Sequence, residues 1–421
     1  MRKIILPVVL LLLLPWCQTV KGQEILCHLK GVIVDRDSKN LLLFPETEDP
    51  LRSDGITIPI VNNTFVYDLK VKEILKYQLI FQDELKQGVM RPITFFPANG
   101  SISFTLHDMN SFNKNRIEGG DLNRRMLLFD KTVDSIFTPM LRPYTLIIDS
   151  LWKADAYFSD TVNAINQRLR LEKSDQERSK LFIIRDKLEQ DGDYFSPSAT
   201  HIMLSMDSLK RIKMFWINDY LQKNMDLVSY SYLYYLLNNY RQNEKITDLT
   251  FIDKILPEYR AKYPRHTYTV KIEKMINAID KLKVGEYFID FEAPTVNGNM
   301  VRISDSIRGK VALLNLWASW CGPCRGLGKS MIPVYEKFRE SGFVIIGVAN
   351  EYRNTDAFKA AIKKDRYPWL NLVELNNVNG IWDKYNIAGS GGCTYLIGRD
   401  GKIIAIHPDA AELERLLTEL F

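Results

Sequence analysis

The chain has 421 residues, of which 46% are hydrophobic and 25% are charged. Such a composition is typical of globular proteins and excludes collagen-like, coiled-coil and wholly disordered chains, and the length predicts two or three domains. Lysine and arginine number 56 against 51 aspartates and glutamates, so the formal charge is only +5, which is too small to indicate nucleic-acid binding. Five cysteines are too few for a fold held together by disulfides.

The first 22 residues have the pattern of an export signal. Two basic residues precede an apolar run at 4–14, which as a helix spans about 16 Å, roughly half of a membrane's hydrocarbon core. We expect cleavage after Gly22 and export to the periplasm or cell envelope. The alternative, a lipoprotein signal with Cys17 as the lipidated residue, is disfavoured because Trp16 stands where such signals need a small residue. Cleavage would leave a nearly neutral chain with four cysteines, in a compartment that permits disulfides.

The segment 23–109 has the pattern of a small β domain. Short alternating or apolar runs are separated by frequent turn signals, with no helical period, and this pattern predicts an antiparallel β-rich domain. It contains no group of acids, bases or metal ligands that indicates chemistry. Cys27 lies in the first of these runs, where we expect a buried thiol that behaves as a small hydrophobic residue.

The segment 110–283 changes to a helical period. Its tyrosine-rich stripe at 230–237 resembles a ligand-binding face, but core packing between helices is the expected role. No motif in this segment carries recognisable chemistry. The predicted helices are Leu122–Phe137, Trp152–Asp191, Thr200–Asp226, Val228–Asn239, Ile252–Tyr263 and Tyr268–Leu282.

The segment 284–421 has an α/β pattern. Nearly continuous apolar runs predict buried strands, and helical periods lie between them. A Gly398–Gly401 turn predicts a hairpin near the end. The expected order is strand, helix, strand, helix, hairpin and helix, with the elements Val311–Trp317, Met331–Ser341, Phe343–Ala349, Asp356–Lys364, Thr394–Ile397 with Lys402–Ile406, and Ala410–Leu420.

One motif in this segment carries chemistry. Cys321 and Cys324 directly follow the Val311–Trp317 strand, and Pro323 between them suits the first turn of a helix. Cys321 would then lie at a helix N-terminus, where free amides and the helix dipole favour a thiolate, and the thiolate is the attacking species in disulfide exchange. Cys324, one turn along, could attack the resulting mixed disulfide. Such a dithiol needs no cofactor.

Two other roles compete for a pair of cysteines at this spacing. Zinc needs four ligands, typically two such pairs or a pair plus histidines, and the sequence has no second pair. A structural disulfide that spans three residues closes very little chain. With the flanking tryptophans and the preceding strand in place, the redox role is the expected one.

At these residues the segment 284–421 resembles the TlpA/ResA-like thiol-disulfide oxidoreductases of the cell envelope, which have a thioredoxin fold. The resemblance implies that Cys321 attacks first and Cys324 resolves, with Trp320, Gly322, Pro323 and Thr394 in support. The segments that carry it are Ala293-Pro294, Arg308–Lys310, Leu316–Arg325, Thr394–Ile397 and Asp400–Ile403. With the β-plus-helical region that precedes such domains in some envelope proteins, it predicts a multidomain chain: an N-terminal antiparallel β domain, a central α-helical region and a C-terminal α/β thioredoxin fold.

The sequence departs from the family's pattern at four positions. Leu327 stands where many relatives carry a glutamate, Asn315 where thioredoxin has a buried aspartate, and Lys329 where a proline is common. Without either carboxylate, removal of the Cys324 proton falls to water or another group, so slower resolution is expected.

The fourth departure is Cys393, which stands at the family's cis-proline position, after Gly389–Gly392. Without proline a cis peptide costs about 3 kcal/mol relative to trans, so the Gly392–Cys393 bond could be trans with a remodelled groove, or Cys393 could reach Cys321. Two hypotheses stay open: Cys393 is a third redox or metal-trapping thiol, or it is a small apolar residue that fills a gap.

Together these features predict an exported thiol-disulfide oxidoreductase that reduces envelope proteins, since Gly322-Pro323 resembles the reducing thioredoxin type. Protein disulfides would be its substrates, an apocytochrome of c-type cytochrome biogenesis among them, and a membrane thiol-disulfide protein its electron donor. No nucleic acid, metal or small-molecule cofactor is expected. The alternative is an envelope binding or scaffold protein whose thioredoxin fold recruits a partner with little or no turnover. A peroxidase fits the fold but suits this motif less well.

Overall fold

The computed structural model describes residues 24–89, 91–240, 247–387 and 391–421. The expected signal peptide with Cys17, and Gly389 and Ser390 of the glycine-rich segment, lie outside these ranges. Three structural segments follow one another along the chain, as the sequence predicts. Within the described ranges, no helix combines the length and apolar character that crossing a membrane requires.

The N-terminal segment forms two four-stranded sheets, with strand orders β4-β1-β7-β8 and β3-β2-β5-β6. The sheets share one core, which contains Leu29 of the first sheet and Leu43 and Phe81 of the second. Cys27 is fully buried in this core, as expected, and burial raises the pKa of its thiol. The elements are β1 Ile25–Ile33, β2 Asn40–Pro45, β3 Ile56–Pro59, β4 Thr64–Val71, β5 Tyr77–Phe81, α1 Gln82–Lys86, β6 Ile93–Phe95, β7 Gly100–Leu106 and β8 Arg116–Glu118.

Two details of this domain differ from the sequence prediction. β1 and β7 pair in parallel, whereas the neighbouring pairs β1–β4 and β7–β8 are antiparallel. A crossover between strands far apart in sequence leaves no local turn signal, which is why the prediction of a purely antiparallel domain missed it. In addition, β8 extends the first sheet to Glu118, beyond the expected boundary at residue 109.

The central segment is helical, but its helix bounds differ from the predicted ones. The expected helix Trp152–Asp191 is divided among three helices, because Ser159 and Ser174 each accept a backbone N–H and so cap new helices. The tyrosine stripe is mainly core: Tyr230 is fully buried and Tyr234 nearly so, whereas Tyr235 is exposed. The helices are α2 Asp121–Lys153, α3 Asp160–Leu171, α4 Asp175–Gln190, α5 Pro197–Lys223, α6 Leu227–Asn238, α7 Leu249–Lys262 and α8 Thr267–Lys281.

The C-terminal segment is a five-stranded sheet of order β13-β12-β11-β14-β15 with helices on its faces. The predicted strands, hairpin and helices are present, and the structure adds β9, β10, the short α9, β13 and the short α12, which the sequence prediction missed. The elements are β9 Glu292–Pro294, β10 Met300–Arg302, α9 Ile303–Ile307, β11 Val311–Trp317, α10 Gly322–Phe338, β12 Phe343–Glu351, α11 Asp356–Asp365, β13 Leu370–Leu375, α12 Ile381–Lys384, β14 Cys393–Ile397, β15 Ile403–Ile406 and α13 Ala410–Leu420.

The three segments contact one another. Helix α4 of the central segment packs against α10 and α13, with Ile183 at the edge of their shared core. At another contact, Glu46 of the β domain accepts a hydrogen bond from the hydroxyl of Tyr268 in α8 and forms an ion pair with Lys76 at 2.9 Å. The central helices therefore contact both the β domain and the helices of the C-terminal segment.

Candidate active site

The two motif cysteines lie where β11 ends and α10 begins. Cys321 is the N-cap residue of α10, and Pro323 lies in the helix's first turn, as the sequence predicts. Cys321 and Cys324 form a disulfide with a Cα–Cα distance of 5.3 Å. The backbone N–H of Cys324 also donates to the Cys321 Sγ at 3.3 Å. A sulfur in this position faces the positive end of the helix dipole, which favours its thiolate after reduction.

Trp320, which immediately precedes Cys321, is an exposed aromatic residue next to the disulfide. The Cys321 residue is 8% exposed and Trp320 is 44% exposed. The Trp320 ring stacks on the Tyr352 ring, with centroids 5.9 Å apart and planes 21° from parallel. Trp320 therefore forms an open aromatic rim beside a nearly buried sulfur.

A buried carboxylate holds the loop before the cysteines. Glu351, the last residue of β12, is 2% exposed, and its carboxylate accepts hydrogen bonds from the Ser319 backbone N–H at 2.8 Å and the Ser319 hydroxyl at 2.7 Å. Burial raises the pKa of the Glu351 carboxyl, and the hydrogen bonds from Ser319 partly oppose that rise. Both carboxylate oxygens are thus committed to the residue two positions before Cys321.

An ion pair anchors the first turn of α10. The Arg325 guanidinium contacts both carboxylate oxygens of Asp365, at 2.6 and 2.9 Å, and donates to the Ser319 carbonyl at 3.3 Å. The Asp365 side chain is almost fully buried. Ser319 is therefore held from two sides, by Glu351 and by Arg325, and the loop that carries Cys321 is fixed relative to β12 and α11.

Gly392 lies directly against the second cysteine. A Cβ built at this position would be 3.1 Å from the Cys324 Sγ and 2.3 Å from the Leu316 carbonyl oxygen. Only a residue without a side chain allows this approach of the backbone. The Gly392–Cys393 peptide bond is trans, so of the two expected arrangements the structure contains the trans one.

Cys393 points away from the disulfide. Its thiol is outside that disulfide, is 2% exposed, and lies in the apolar cluster of Leu314, Leu316 and Tyr385. Cys324 instead borders the cluster on the opposite face of the sheet, which contains Trp317 and α10. Because side chains along a strand alternate between its two faces, the Cys393 thiol and Cys324 lie on opposite faces of the sheet. The contact between Cys393 and Cys321 that the sequence left open is therefore not found. Among the described residues no cluster of potential metal ligands surrounds Cys393.

Thr394 and Leu327, which the sequence analysis also named, both lie on the α10 side of the sheet. Thr394 pairs with Asn315 of β11, so their side chains share the face that packs against α10. Leu327, at the expected glutamate position, borders the apolar core under that helix. Glu351 is a buried carboxylate bonded to the loop before the cysteines, and sequence reasoning missed it. Its only sequence signal is an acidic residue at the end of a predicted strand, two residues past Phe343–Ala349.

Comparison with known proteins identifies the C-terminal segment. Residues 284–406 match the model of the AhpC/TSA family. The thiol-disulfide oxidoreductase ResA of Oceanobacillus iheyensis is 30% identical over 140 residues, which cover 32% of this chain and 69% of the relative. The thiol:disulfide interchange protein DsbE of Pseudomonas fluorescens is 40% identical over 76 residues, 18% of this chain and 40% of the relative.

A solved thioredoxin domain of a thiol-disulfide oxidoreductase from Bacteroides vulgatus is 26% identical, with a TM-score of 0.31, and the match covers 33% of this chain and 98% of that domain. The family resemblance expected from the motif is confirmed by the ResA relative, of which the chain covers more than two thirds. By its C-terminal thioredoxin-fold domain, the chain is a thiol-disulfide oxidoreductase of the ResA family.

Proposed function

We propose that this protein is an exported reductase of disulfides in envelope proteins, with Cys321 as the attacking thiolate and Cys324 as the resolving thiol. The observation that carries the proposal is the position of the Cys321 sulfur, at the N-cap of α10 within hydrogen-bond distance of the Cys324 N–H. Such a setting lowers the pKa of a thiol and raises the fraction present as the nucleophile. Trp320, Gly322, Pro323 and Thr394 support this arrangement.

The cycle starts from the reduced dithiol. The Cys321 thiolate attacks one sulfur of the substrate disulfide, an enzyme–substrate S–S bond forms, and the other substrate sulfur leaves as a thiolate. Cys324 then loses its proton and attacks the Cys321 sulfur, which releases the second substrate thiolate and forms the Cys321–Cys324 disulfide. Two electrons pass to the substrate, and its two thiolates take up protons. Without a carboxylate at 315 or 327, water is the proposed acceptor of the Cys324 proton.

A second thiol-disulfide protein closes the cycle. We propose a membrane dithiol donor that reduces Cys321–Cys324 by the same exchange and becomes oxidised itself. The reducing direction is supported by the Gly322-Pro323 pair between the cysteines, and export is supported by the pattern of residues 1–22. Apocytochromes with an oxidised cysteine pair and misoxidised envelope proteins are the substrate classes that fit this chemistry.

Reduction of insulin by the purified chain tests the redox proposal. Wild type should catalyse reduction with dithiothreitol as the donor, Cys321→Ser should lose activity, and Cys324→Ala should accumulate a mixed disulfide with its substrate. Cys393→Ala is the matched control and should retain activity. Equal turnover by Cys321→Ser would refute the proposal. Identical partners bound non-covalently by a variant lacking both cysteines would instead favour the scaffold alternative.

Expression of the full chain in a Gram-negative host tests export. The periplasmic fraction should contain a protein that begins at Gln23. A membrane-bound product with a lipid-modified Cys17 would establish the lipoprotein alternative, and a full-length cytoplasmic product would overturn export.

A further inference from the structure

The turn between β2 and β3 of the N-terminal domain reaches the rim of the dithiol site. Within this turn, which we call the Asp49–Ser53 turn, the Asp49 carbonyl accepts the backbone N–H groups of Arg52 and Ser53, both at 3.0 Å. The Asp49 carboxylate accepts the N–H of Leu51 at 2.9 Å and pairs with the Arg52 guanidinium at 3.2 Å. The turn is therefore ordered by its own hydrogen bonds.

The charged side chains of this turn are mostly covered. Only 15% of the Arg52 side chain and 23% of the Asp49 side chain are exposed, although charged turn residues usually lie in water. The Arg52 guanidinium lies 5.9 Å from the centroid of the Tyr352 ring. Burial raises the pKa of the Tyr352 hydroxyl, the Asp49 charge adds to the rise, and Arg52 opposes it. Both turn residues thus lie within electrostatic reach of Tyr352.

Tyr352 connects this turn to the dithiol. The Tyr352 ring stacks on Trp320 with a centroid separation of 5.9 Å, and Trp320 immediately precedes Cys321. The centroid of the Tyr352 ring is therefore 5.9 Å from the Arg52 guanidinium and 5.9 Å from the centroid of the Trp320 ring. A stable protein interface covers about 800 Å² per partner, a footprint of roughly 16 Å radius. A polypeptide centred on Cys321 would contact the neighbouring exposed Trp320 ring, whereas a small disulfide would not need to.

We propose that Arg52 of the Asp49–Ser53 turn is a positioning residue for polypeptide substrates, because it holds Tyr352, whose ring stacks on the exposed Trp320 beside Cys321. The β domain then contributes to substrate specificity rather than to the exchange chemistry. This inference rests on the proposed function and assigns a role to a domain whose sequence carries no motif.

The experiment compares a polypeptide disulfide with a small one. Insulin reduction measures KM and kcat with dithiothreitol as the donor, and single-turnover reaction of the reduced chain with 5,5′-dithiobis(2-nitrobenzoic acid) measures the intrinsic reactivity of the dithiol. Arg52→Ala should raise KM for insulin about fivefold and change kcat and the small-disulfide rate less than twofold. Arg52→Lys, which keeps the charge but loses the planar group, should be intermediate.

Arg116→Ala is the matched control, because Arg116 is an exposed arginine on β8 of the same domain, and it should leave both reactions unchanged. The inference is overturned if Arg52→Ala leaves KM for insulin unchanged, or if both disulfides slow equally, because the effect then lies in the dithiol itself. The small-disulfide rate also reports correct folding of each variant. If the wild-type chain reacts with the small disulfide but fails to reduce insulin, the proposed function is refuted. That result concerns the wild type and is therefore distinct from the two outcomes that overturn the role of Arg52.

Discussion

The Glu351 carboxylate accepts two hydrogen bonds from Ser319, one from its backbone N–H and one from its hydroxyl, and so joins the end of β12 to the loop that carries Cys321. This contact holds the backbone of Ser319 in place. Because Ser319 is two residues before Cys321, it also restrains the position of Cys321. In this chain a buried acid therefore acts on the geometry of the dithiol loop from the neighbouring strand, while positions 315 and 327 carry no acid.

Glu351→Gln should fold and retain exchange activity, because a glutamine oxygen can accept the Ser319 N–H while its amide donates to the hydroxyl. Glu351→Ala should lose stability by about 1–3 kcal/mol, since it leaves a buried N–H without a partner, and should slow insulin reduction. Chemical denaturation and insulin reduction measure the two effects, with Ser319→Ala, which removes only the hydroxyl bond, as the intermediate control. Equal stability of the alanine and glutamine variants would contradict this role.

The same carboxyl predicts a pH dependence. Burial raises the Glu351 pKa above its ordinary value of 4.5, so the folded state binds its proton more tightly than the unfolded state does. The resulting contribution to stability is present at low pH and is lost as pH rises from 4.5 through the raised pKa. Relative to wild type, Glu351→Gln should therefore gain stability across that window. A difference between the two proteins that stays constant from pH 4 to pH 8 would contradict the expectation.

A second pH dependence of stability is expected from Asp186 of α4, at the contact between the central helices and the thioredoxin fold. Burial and the charge of Asp409 raise the Asp186 pKa from 3.8 to about 6, so ionised Asp186 opposes the packing of α4 at higher pH. Asp186→Asn should raise the melting temperature at pH 8 and leave it nearly unchanged at pH 4. Asp191→Asn, at an exposed site at the end of the same helix, should have little effect at either pH. Equal shifts for Asp186→Asn at both values would exclude this assignment.

Gly392→Ala should disturb both stability and exchange. Its Cβ would lie 2.3 Å from the Leu316 carbonyl oxygen, and because that atom is backbone, the start of β14 must move away from Cys324. We expect a loss of about 1–3 kcal/mol and slower insulin reduction. Gly326→Ala in α10, where a Cβ would meet nothing within 4 Å, is the control and should be neutral or slightly stabilising. A Gly392→Ala chain with wild-type melting temperature and rate would show that the site tolerates the side chain.

Cys393 should behave as a packing residue. In an oxidised chain expressed from Gln23, a maleimide should label neither Cys27 nor Cys393 in the native state, because both are buried, and should label both after denaturation. Cys393→Ala should keep insulin reduction within twofold of wild type. A disulfide between Cys393 and either motif cysteine, detected by peptide mapping, would revive the hypothesis of a third redox thiol.

The dithiol and its setting were predictable because their signals are local. An apolar run, a proline in the first turn and two cysteines three residues apart lie within 14 consecutive residues, 311–324, and helix and strand propensities act over that range. The three-part organisation was also predictable, since each segment has its own hydrophobic period. Helix ends were less accurate where the cap is a serine inside a polar stretch, as at Ser159 and Ser174.

The surroundings of the dithiol depend on contacts between distant residues. Glu351 meets Ser319 across 32 positions, Gly392 lies against Cys324 across 68 positions, and Arg52 lies over Tyr352 across 300 positions. Cys393 directly follows the glycine-rich segment, and its distance from the disulfide follows only from the face of β14 to which its side chain points. Packing of β12 and β14 beside β11, and of the Asp49–Ser53 turn against Tyr352, places these groups, and no local propensity encodes such packing.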